Sequence, residues 1–278
     1  MIKINNVDLN LDDTITCGQI FRFNKEINDS YTVILSDRVV NLKMDNSTLI
    51  VKSNDENNLE YVIRDYLDLD RDYNLINKKI IEYDYSFKAI IDECSGFKMI
   101  HQPKFECLIS YIISQNNRVT MISKVIDNIS RKYGKKVIFE NKDYYLFPTL
   151  DEIKNCNVEE LRNLKTGFRD KYIYEIIQKL KNNDFDLDLI DKMDSSQALK
   201  YLMNNKGIGE KVASCILLFA YFKTDVYPID TWVKKYMFDT YKISGINEIR
   251  KYTNNTYKEY SGLVIQYMFH VKRNKSWH

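Results

Sequence analysis

The hydrophobic repeat of the sequence changes near Asn58, and this change limits the folds that the chain can adopt. Before it, the segments YTVILSDRVVNLKM and STLIVKS alternate apolar with polar residues, which is typical of strands with one buried face. After it, segments such as PKFECLISYIISQNN and RDKYIYEIIQKLKN place apolar residues at helical spacing. The sequence therefore predicts an α+β protein, with an N-terminal antiparallel β-rich domain over residues 1–88 and a mainly α-helical body over residues 89–278.

The cysteines and the apolar runs argue against metal proteins and membrane proteins. The five cysteines are far apart, with no C-x-x-C pair and no closely spaced C-terminal group of four. We therefore expect free thiols, no metal site and no iron–sulfur cluster. The longest apolar run, Ile216 to Phe222, is far too short to span a bilayer, and the N-terminus has no signal sequence. These features predict a cytoplasmic protein.

Positive charge is concentrated in the C-terminal third of the chain. The net charge is only +2, but residues 200–278 contain 13 Lys and Arg against 6 Asp and Glu. Lysines near phosphates release counterions from nucleic acid, so this bias suits a nucleic-acid contact surface. A solvated, lysine-rich face explains the same bias, and both interpretations stay open.

The segment LMNNKGIGEKVASCILLFAYF is the most informative part of the sequence. It predicts a helix, a Gly-Ile-Gly turn and a second helix, which together form a helix-hairpin-helix at about residues 197–222. Gly207 and Gly209 leave no side chain between the main chain and a partner. Their turn can present amides to a DNA phosphate, helped by the positive end of the second helix. The alternative is an ordinary tight turn between two packed helices.

Two residues near this turn suggest chemistry. Lys211 lies in the first turn of the second helix, where the helix dipole disfavours an ammonium. That position, together with an expected partial burial, would favour the neutral and nucleophilic amine. Asp230 follows Pro228 in VYPID, within a loop at residues 225–231, and is the expected N-cap of the next helix. Capping alone is the alternative role for Asp230. Next to Lys211, its carboxylate could stabilise positive charge on a sugar.

GIGEKVASC followed by VYPID resembles the motif of helix-hairpin-helix DNA glycosylases (the HhH-GPD superfamily), and the lysine is typical of their bifunctional branch. Within that superfamily the chain resembles the eukaryotic type of 8-oxoguanine DNA glycosylase/lyase, which also occurs in bacteria, from CGQIFRF to EYSGLVIQYMFHVKR. The resemblance implies that Lys211 attacks the sugar and forms a Schiff base, assisted by Asp230. It also implies double-stranded DNA containing 8-oxoguanine as the partner, no cofactor, a monomer, and a place in the bacterial cytoplasm or nucleoid.

The resemblance also assigns residues to base recognition. Gly18 matches the glycine whose carbonyl accepts the N7 hydrogen that 8-oxoguanine has and guanine lacks. Cys215 and Phe269 match residues that sandwich the extruded base, although either one alone could be a plain core residue. Ile265 stands where a glutamine usually reads the lesion, and the neighbouring Gln266 could replace that glutamine only if the helix turned by about 100°.

Further residues are assigned to DNA contacts. Asn116 matches the asparagine that fills the gap left by the extruded base, and Arg169 matches an arginine that contacts the orphaned cytosine. Without the resemblance, they would be interpreted as a turn asparagine and a surface arginine. Met121 replaces a second cytosine-contacting arginine, which predicts weaker discrimination of the opposite base. Trp232 replaces a histidine that contacts phosphate.

Three other functions stay open at this point. The first is a glycosylase of the same superfamily that acts on alkylated or mismatched bases, although such enzymes typically lack the equivalent of Lys211. The second is a non-catalytic DNA-binding module, because helix-hairpin-helix elements also serve as passive contacts to the backbone. The third is an RNA-binding protein that stacks bases on some of its 21 tyrosines, for which no aromatic strand motif is present.

Overall fold

The computed structural model describes residues 1–275 of the chain. Its N-terminal part contains a five-stranded antiparallel sheet in the order β1-β5-β4-β3-β2. The central strand β4 pairs Leu42 with Val51 on one side and with Tyr31 on the other. These five strands are Ile2–Ile4, Phe23–Lys25, Tyr31–Ile34, Val39–Asp45 and Thr48–Ser53. The predicted fold class, an antiparallel sheet followed by a helical body, is confirmed.

Helices form most of the rest of the described chain. In order, α1 to α14 are Leu11–Thr16, Leu59–Tyr66, Tyr73–Tyr83, Lys88–Glu93, Lys104–Ser114, Val119–Tyr133, Leu150–Ile153, Val158–Asn163, Asp170–Lys181, Ser195–Met203, Glu210–Tyr221, Thr231–Tyr241, Ile246–Tyr257 and Ser261–Lys275. None of the helices within residues 1–275 is long and apolar enough to cross a membrane.

Two apolar cores hold these elements together. The first lies between the sheet and helices α1 and α2, and it includes Val33, Leu42 and Ile63. The second fills the helical body and contains Cys17, just after α1, together with residues from Tyr73 of α3 onward. Helix α3 therefore packs into the helical core although it precedes residue 89, and a domain boundary at residue 88 stays a prediction.

A second β-hairpin, which the sequence analysis did not predict, covers part of the sheet. Strands β6 (Lys136–Phe139) and β7 (Lys142–Tyr145) form an antiparallel pair inside the helical part of the chain. Phe139 and Tyr144 of this hairpin pack against Val39 of β4, which is fully buried. The start of β4 is therefore covered on both faces, which explains its run of consecutive buried residues.

A cluster of tyrosines around Asp84 fixes the C-terminal helices to the end of α3. Oδ2 of Asp84 accepts hydrogen bonds from the hydroxyls of Tyr241 at 2.9 Å, Tyr252 at 3.2 Å and Tyr257 at 2.6 Å. Burial alone would raise the pKa of Asp84, but hydrogen bonds from Ser86 and the tyrosines outweigh it and lower the pKa. Because Tyr241 ends α12, this cluster also helps to position the helix that Asp230 begins.

A buried ion pair joins the sheet to the helical body. Arg22 donates to Oε1 of Glu106, the third residue of α5, at 3.3 Å and also to the carbonyl of Tyr145. The other carboxylate oxygen of Glu106 is buried without a hydrogen-bond partner among the described residues. Burial raises the pKa of Glu106 above its ordinary value of 4.5, against the opposite effect of Arg22.

This raised pKa predicts a specific pH dependence of stability. Because this pKa is higher in the native state, the native state binds more protons at Glu106 than the unfolded state does. The contribution of Glu106 to the free energy of unfolding is therefore fully present below pH 4.5 and is lost as the pH rises through the native pKa. Glutamine does not titrate, so we expect the free energy of unfolding of Glu106→Gln to rise relative to that of the wild type as the pH increases from about 5 to about 8. Urea unfolding of both proteins at the two pH values measures this change, and equal differences at both would contradict it.

Candidate functional site

The predicted hairpin corresponds to helices α10 and α11 and the turn between them at residues 204–209. Gly207 in this turn has a φ of +81°, and a Cβ there would lie 2.4 Å from the ring of Tyr172. Only glycine satisfies both the backbone angle and the close approach. Gly209 is the N-cap of α11, without a side-chain cap, and a Cβ on it would meet nothing within 4 Å. The first amides of α11 therefore face an open surface.

Lys211 projects from the first turn of α11 and is exposed. The expectation that it would be partly buried is therefore wrong for the free protein. Its amine makes no hydrogen bond or ion pair with the residues that the structure describes. By contrast, the carboxylate of the nearby Glu210 forms an ion pair with Arg250 at 2.5 Å. The amine is thus accessible to a large ligand.

Asp230 is the N-cap of α12, as predicted from the sequence. Its Oδ1 accepts from the backbone N–H of Val233 at 2.9 Å, and the residue is half-buried. Among the described residues, none donates to its Oδ2. One carboxylate oxygen therefore caps the helix, while the other stays available to a ligand.

Lys211 and Asp230 both lie near the thiol of Cys215. Cys215 is 7% exposed and lies one helical turn after Lys211 on the same face of α11. Burial raises the pKa of the Cys215 thiol to about 12, the charge of Lys211 acts to lower it, and the charge of Asp230 acts to raise it. Both charged groups therefore lie close enough to Cys215 to act on it electrostatically.

Gly18 and Phe269 come from opposite ends of the chain and meet in the structure. Gly18 follows α1 with a φ of +88°, and a Cβ on it would lie 3.6 Å from the ring of Phe269 on α14. Phe269 is half-buried and packs against the helical core. Gln266 is 4% exposed, and its Nε2 lies 3.8 Å from Sγ of Cys17, next to Gly18. Ile265 is 1% exposed and belongs to the core.

Asn116 and Arg169 lie beside each other, and both contact the hairpin through Gln115. Asn116 is exposed in a left-handed conformation with φ +48°. The guanidinium of Arg169 donates to the carbonyls of Gln115, Asn116 at 3.2 Å and Thr166 at 3.2 Å. The side chain of Gln115 in turn donates to the carbonyl of Gly207 at 2.7 Å. The loop that carries Asn116 is therefore fixed on both sides.

Arg169 is 6% exposed, so the interpretation of it as a surface arginine is wrong. Its neighbour Phe168 is 58% exposed, and the Arg169 guanidinium lies 4.4 Å from the Phe168 ring. Met121 is also exposed, while Trp232 is half-buried on the first turn of α12. Sequence analysis missed Gln115 and Phe168 because neither residue carries a charge or a motif. Gln115 precedes Asn116 in the sequence, but only the structure shows that its side chain contacts Gly207 and that Phe168 packs against Arg169.

Within residues 1–275, no group of three or more His, Cys, Asp or Glu side chains is arranged to hold a metal ion. All five cysteines are buried free thiols.

Comparison with known proteins connects this geometry to a family. The model of the 8-oxoguanine DNA glycosylase N-terminal domain matches residues 1–108, and the model of the HhH-GPD superfamily of base excision DNA repair proteins matches residues 109–260. A crystal structure of Clostridium acetobutylicum 8-oxoguanine glycosylase/lyase, in complex with double-stranded DNA containing cytosine opposite 8-oxoguanine, is 33% identical. It superposes with a TM-score of 0.93 over 99% of this chain and 95% of that chain.

Two more distant proteins are also similar to this chain. An N-glycosylase/DNA lyase of Saccharomyces cerevisiae is 26% identical over 274 residues, which cover 88% of this chain and 71% of the relative. The structure of a 3-methyladenine DNA glycosylase from Archaeoglobus fulgidus is 21% identical with a TM-score of 0.81, covers 98% of this chain and 99% of that chain, and shows the shared fold alone. The chain belongs to the 8-oxoguanine DNA glycosylase/lyase family, within the helix-hairpin-helix superfamily of base excision DNA repair proteins.

Proposed function

We propose that this protein excises 8-oxoguanine from duplex DNA and then cleaves the strand, with Lys211 as the nucleophile and Asp230 as the electrostatic partner. The observation that carries the proposal is the placement of both charged groups close to Cys215, with the amine exposed and one oxygen of Asp230 free of hydrogen bonds. In this proposal the protein acts as a monomer in the bacterial cytoplasm, without a cofactor.

The protein first holds the DNA and extrudes the damaged nucleotide. The uncapped N-terminus of α11, next to Gly207 and Gly209, binds a backbone phosphate through its amides. Extrusion costs roughly a few kcal/mol of stacking and pairing, and Asn116 fills the gap that the base leaves. Arg169 lies at the same loop and contacts the orphaned cytosine.

The base then enters the space between Phe269 and Cys215. There the Gly18 carbonyl accepts the N7 hydrogen of 8-oxoguanine. Guanine would place an N7 lone pair against the same carbonyl and leave a buried acceptor unpaired, which disfavours its binding. Gln266 lies beside Gly18, where it can contribute to this recognition.

The proposed chemical steps use the amine of Lys211 and the carboxylate of Asp230. The neutral amine attacks C1′, and the bond from C1′ to the base breaks as the base takes the electron pair. Asp230 stabilises the positive charge that develops on the sugar. The sugar ring opens to give a Schiff base on Lys211, loss of a proton from C2′ then expels the 3′ phosphate, and hydrolysis releases the amine.

An excision assay tests this proposal against its rivals. The purified protein is mixed with duplexes that contain 8-oxoguanine, an alkylated purine, an abasic site or no damage, and free base and strand cleavage are measured separately. We expect release of 8-oxoguanine and cleavage at the abasic site. Release of the alkylated purine alone would support a glycosylase that acts on alkylated bases. Binding without any cleavage would support a non-catalytic DNA-binding module.

The exposed Met121 leads to a prediction about the opposite base. Because Met121 replaces an arginine, we expect similar excision rates opposite cytosine and adenine in the wild type. Met121→Arg should favour cytosine by about 1 to 3 kcal/mol, or roughly 5- to 150-fold. Thr120→Arg adds the same charge on another helix face and should leave the ratio unchanged. Strong cytosine selectivity in the wild type would contradict this interpretation.

A further inference from the structure

One face of α14 carries three polar side chains that contact the segment from α1 to Gly18. Gln266, His270 and Arg273 are four and three residues apart, so they line one side of the helix. Nε2 of Gln266 lies 3.8 Å from Sγ of Cys17, Nε2 of His270 lies 3.3 Å from Oδ1 of Asp13, and Nη1 of Arg273 donates to the carbonyl of Thr16 at 3.1 Å. We call these three pairs the α14 clasp.

The clasp residues lie next to the contact between Gly18 and Phe269. A Cβ on Gly18 would lie 2.6 Å from Nη1 of Arg273 and 3.6 Å from the Phe269 ring. The guanidinium of Arg273 also lies 5.9 Å from the centre of that ring. Gly18 and Phe269 belong to different ends of the chain, so no local backbone structure sets their separation. The clasp joins their two segments through polar contacts.

The clasp also bears on the direction of the Gly18 carbonyl. The thiol of Cys17 is fully buried and donates to the carbonyl of Thr14 at 3.4 Å. Burial raises the pKa of this thiol to about 11, although hydrogen bonds from the backbone and side chain of Gln19 act to lower it. The Gln19 N–H and the Gly18 carbonyl belong to one planar peptide and point in opposite directions. Cys17 is held through Thr14, and Gln19 is held through its side chain, which donates to the carbonyl of Lys98 at 2.9 Å and accepts from the N–H of Ile100 at 2.8 Å, so the peptide that carries the Gly18 carbonyl is anchored on both sides.

We propose that the α14 clasp determines lesion specificity by fixing the Gly18 carbonyl relative to Phe269. Its members are positioning residues, because they act through Gly18 rather than on the reacting sugar. The proposal rests on the proposed function, and in particular on the Gly18 carbonyl as the contact that separates 8-oxoguanine from guanine. A carbonyl that moves away from the N7 hydrogen loses that hydrogen bond, whereas Lys211 and Asp230 keep their places on α11 and α12.

Arg273 offers the cleanest test because it is only half-buried. Two rates are compared under single turnover: excision of 8-oxoguanine opposite cytosine, and strand cleavage at a preformed abasic site, which needs Lys211 but no base. We expect Arg273→Ala to lower excision by about 10- to 100-fold relative to abasic cleavage. Arg273→Lys, which keeps a donor for the Thr16 carbonyl, should recover most of the loss. His270→Gln provides a second variant with the same expected change in the ratio.

Lys272→Ala is the matched control, since Lys272 pairs with Asp239 on another face of α14. It should leave the ratio of the two rates unchanged. Equal losses of both activities in the Arg273 and His270 variants would mean a merely structural role and would overturn the proposal, as would an unchanged ratio. A wild type that cuts neither substrate would refute the proposed function, and this inference with it.

Discussion

Lys211→Gln should abolish base excision and strand cleavage while leaving DNA binding intact. Glutamine keeps most of the length of the side chain but has no nucleophilic amine, so both chemical steps lose their covalent intermediate. We expect the excision rate to fall by at least about 10³-fold. Single-turnover excision measures this loss, and binding to a duplex with a stable abasic-site analogue measures the retained affinity.

Lys200→Gln is the control for this experiment. Lys200 is exposed on α10, the other helix of the hairpin, so its substitution removes the same charge near the same surface. We expect this variant to excise 8-oxoguanine at the wild-type rate. Substantial excision by Lys211→Gln would show that another group acts as the nucleophile.

Asp230→Asn should separate the two roles of this carboxylate. Asparagine caps a helix as well as aspartate does, so the free energy of unfolding should change by less than about 0.5 kcal/mol. The loss of negative charge beside the sugar should lower the excision rate by about 10²- to 10³-fold. Urea unfolding and single-turnover excision on the same preparation measure the two effects.

The matched control is Asp194→Asn at the N-cap of α10. Asp194 accepts from the backbone N–H of Gln197 at 2.8 Å, which is the same capping contact that Asp230 makes with Val233. This variant should keep full activity. If Asp230→Asn also kept full activity, capping alone would account for Asp230.

Local sequence patterns predicted the sheet, most of the helices and the hairpin, because each element repeats apolar residues at its own period. They missed the strands around Phe139 and Tyr144, whose apolar residues serve a small core shared with Val39. They also missed α13, whose last turn contains Asn254, Asn255 and Thr256, residues with low helix propensity. Tertiary packing stabilises both elements, and a local pattern does not contain that information.

The candidate site shows the same division between local and long-range information. The N-cap role of Asp230 could be predicted because a cap depends on the adjacent residues. The exposure of Lys211 and the burial of Arg169 could not, because both depend on segments distant in sequence. For Gln266, only the structure shows that its side chain reaches Cys17.

The identity of the nucleophile is the central claim, and one measurement tests it most directly. The protein is incubated with a duplex containing 8-oxoguanine opposite cytosine, the Schiff base is reduced with borohydride, and the adduct is mapped by proteolysis and mass spectrometry. The account predicts a single modified residue, Lys211. An adduct on any other lysine or on the N-terminal amine, or no adduct from a protein that excises the base, would contradict it.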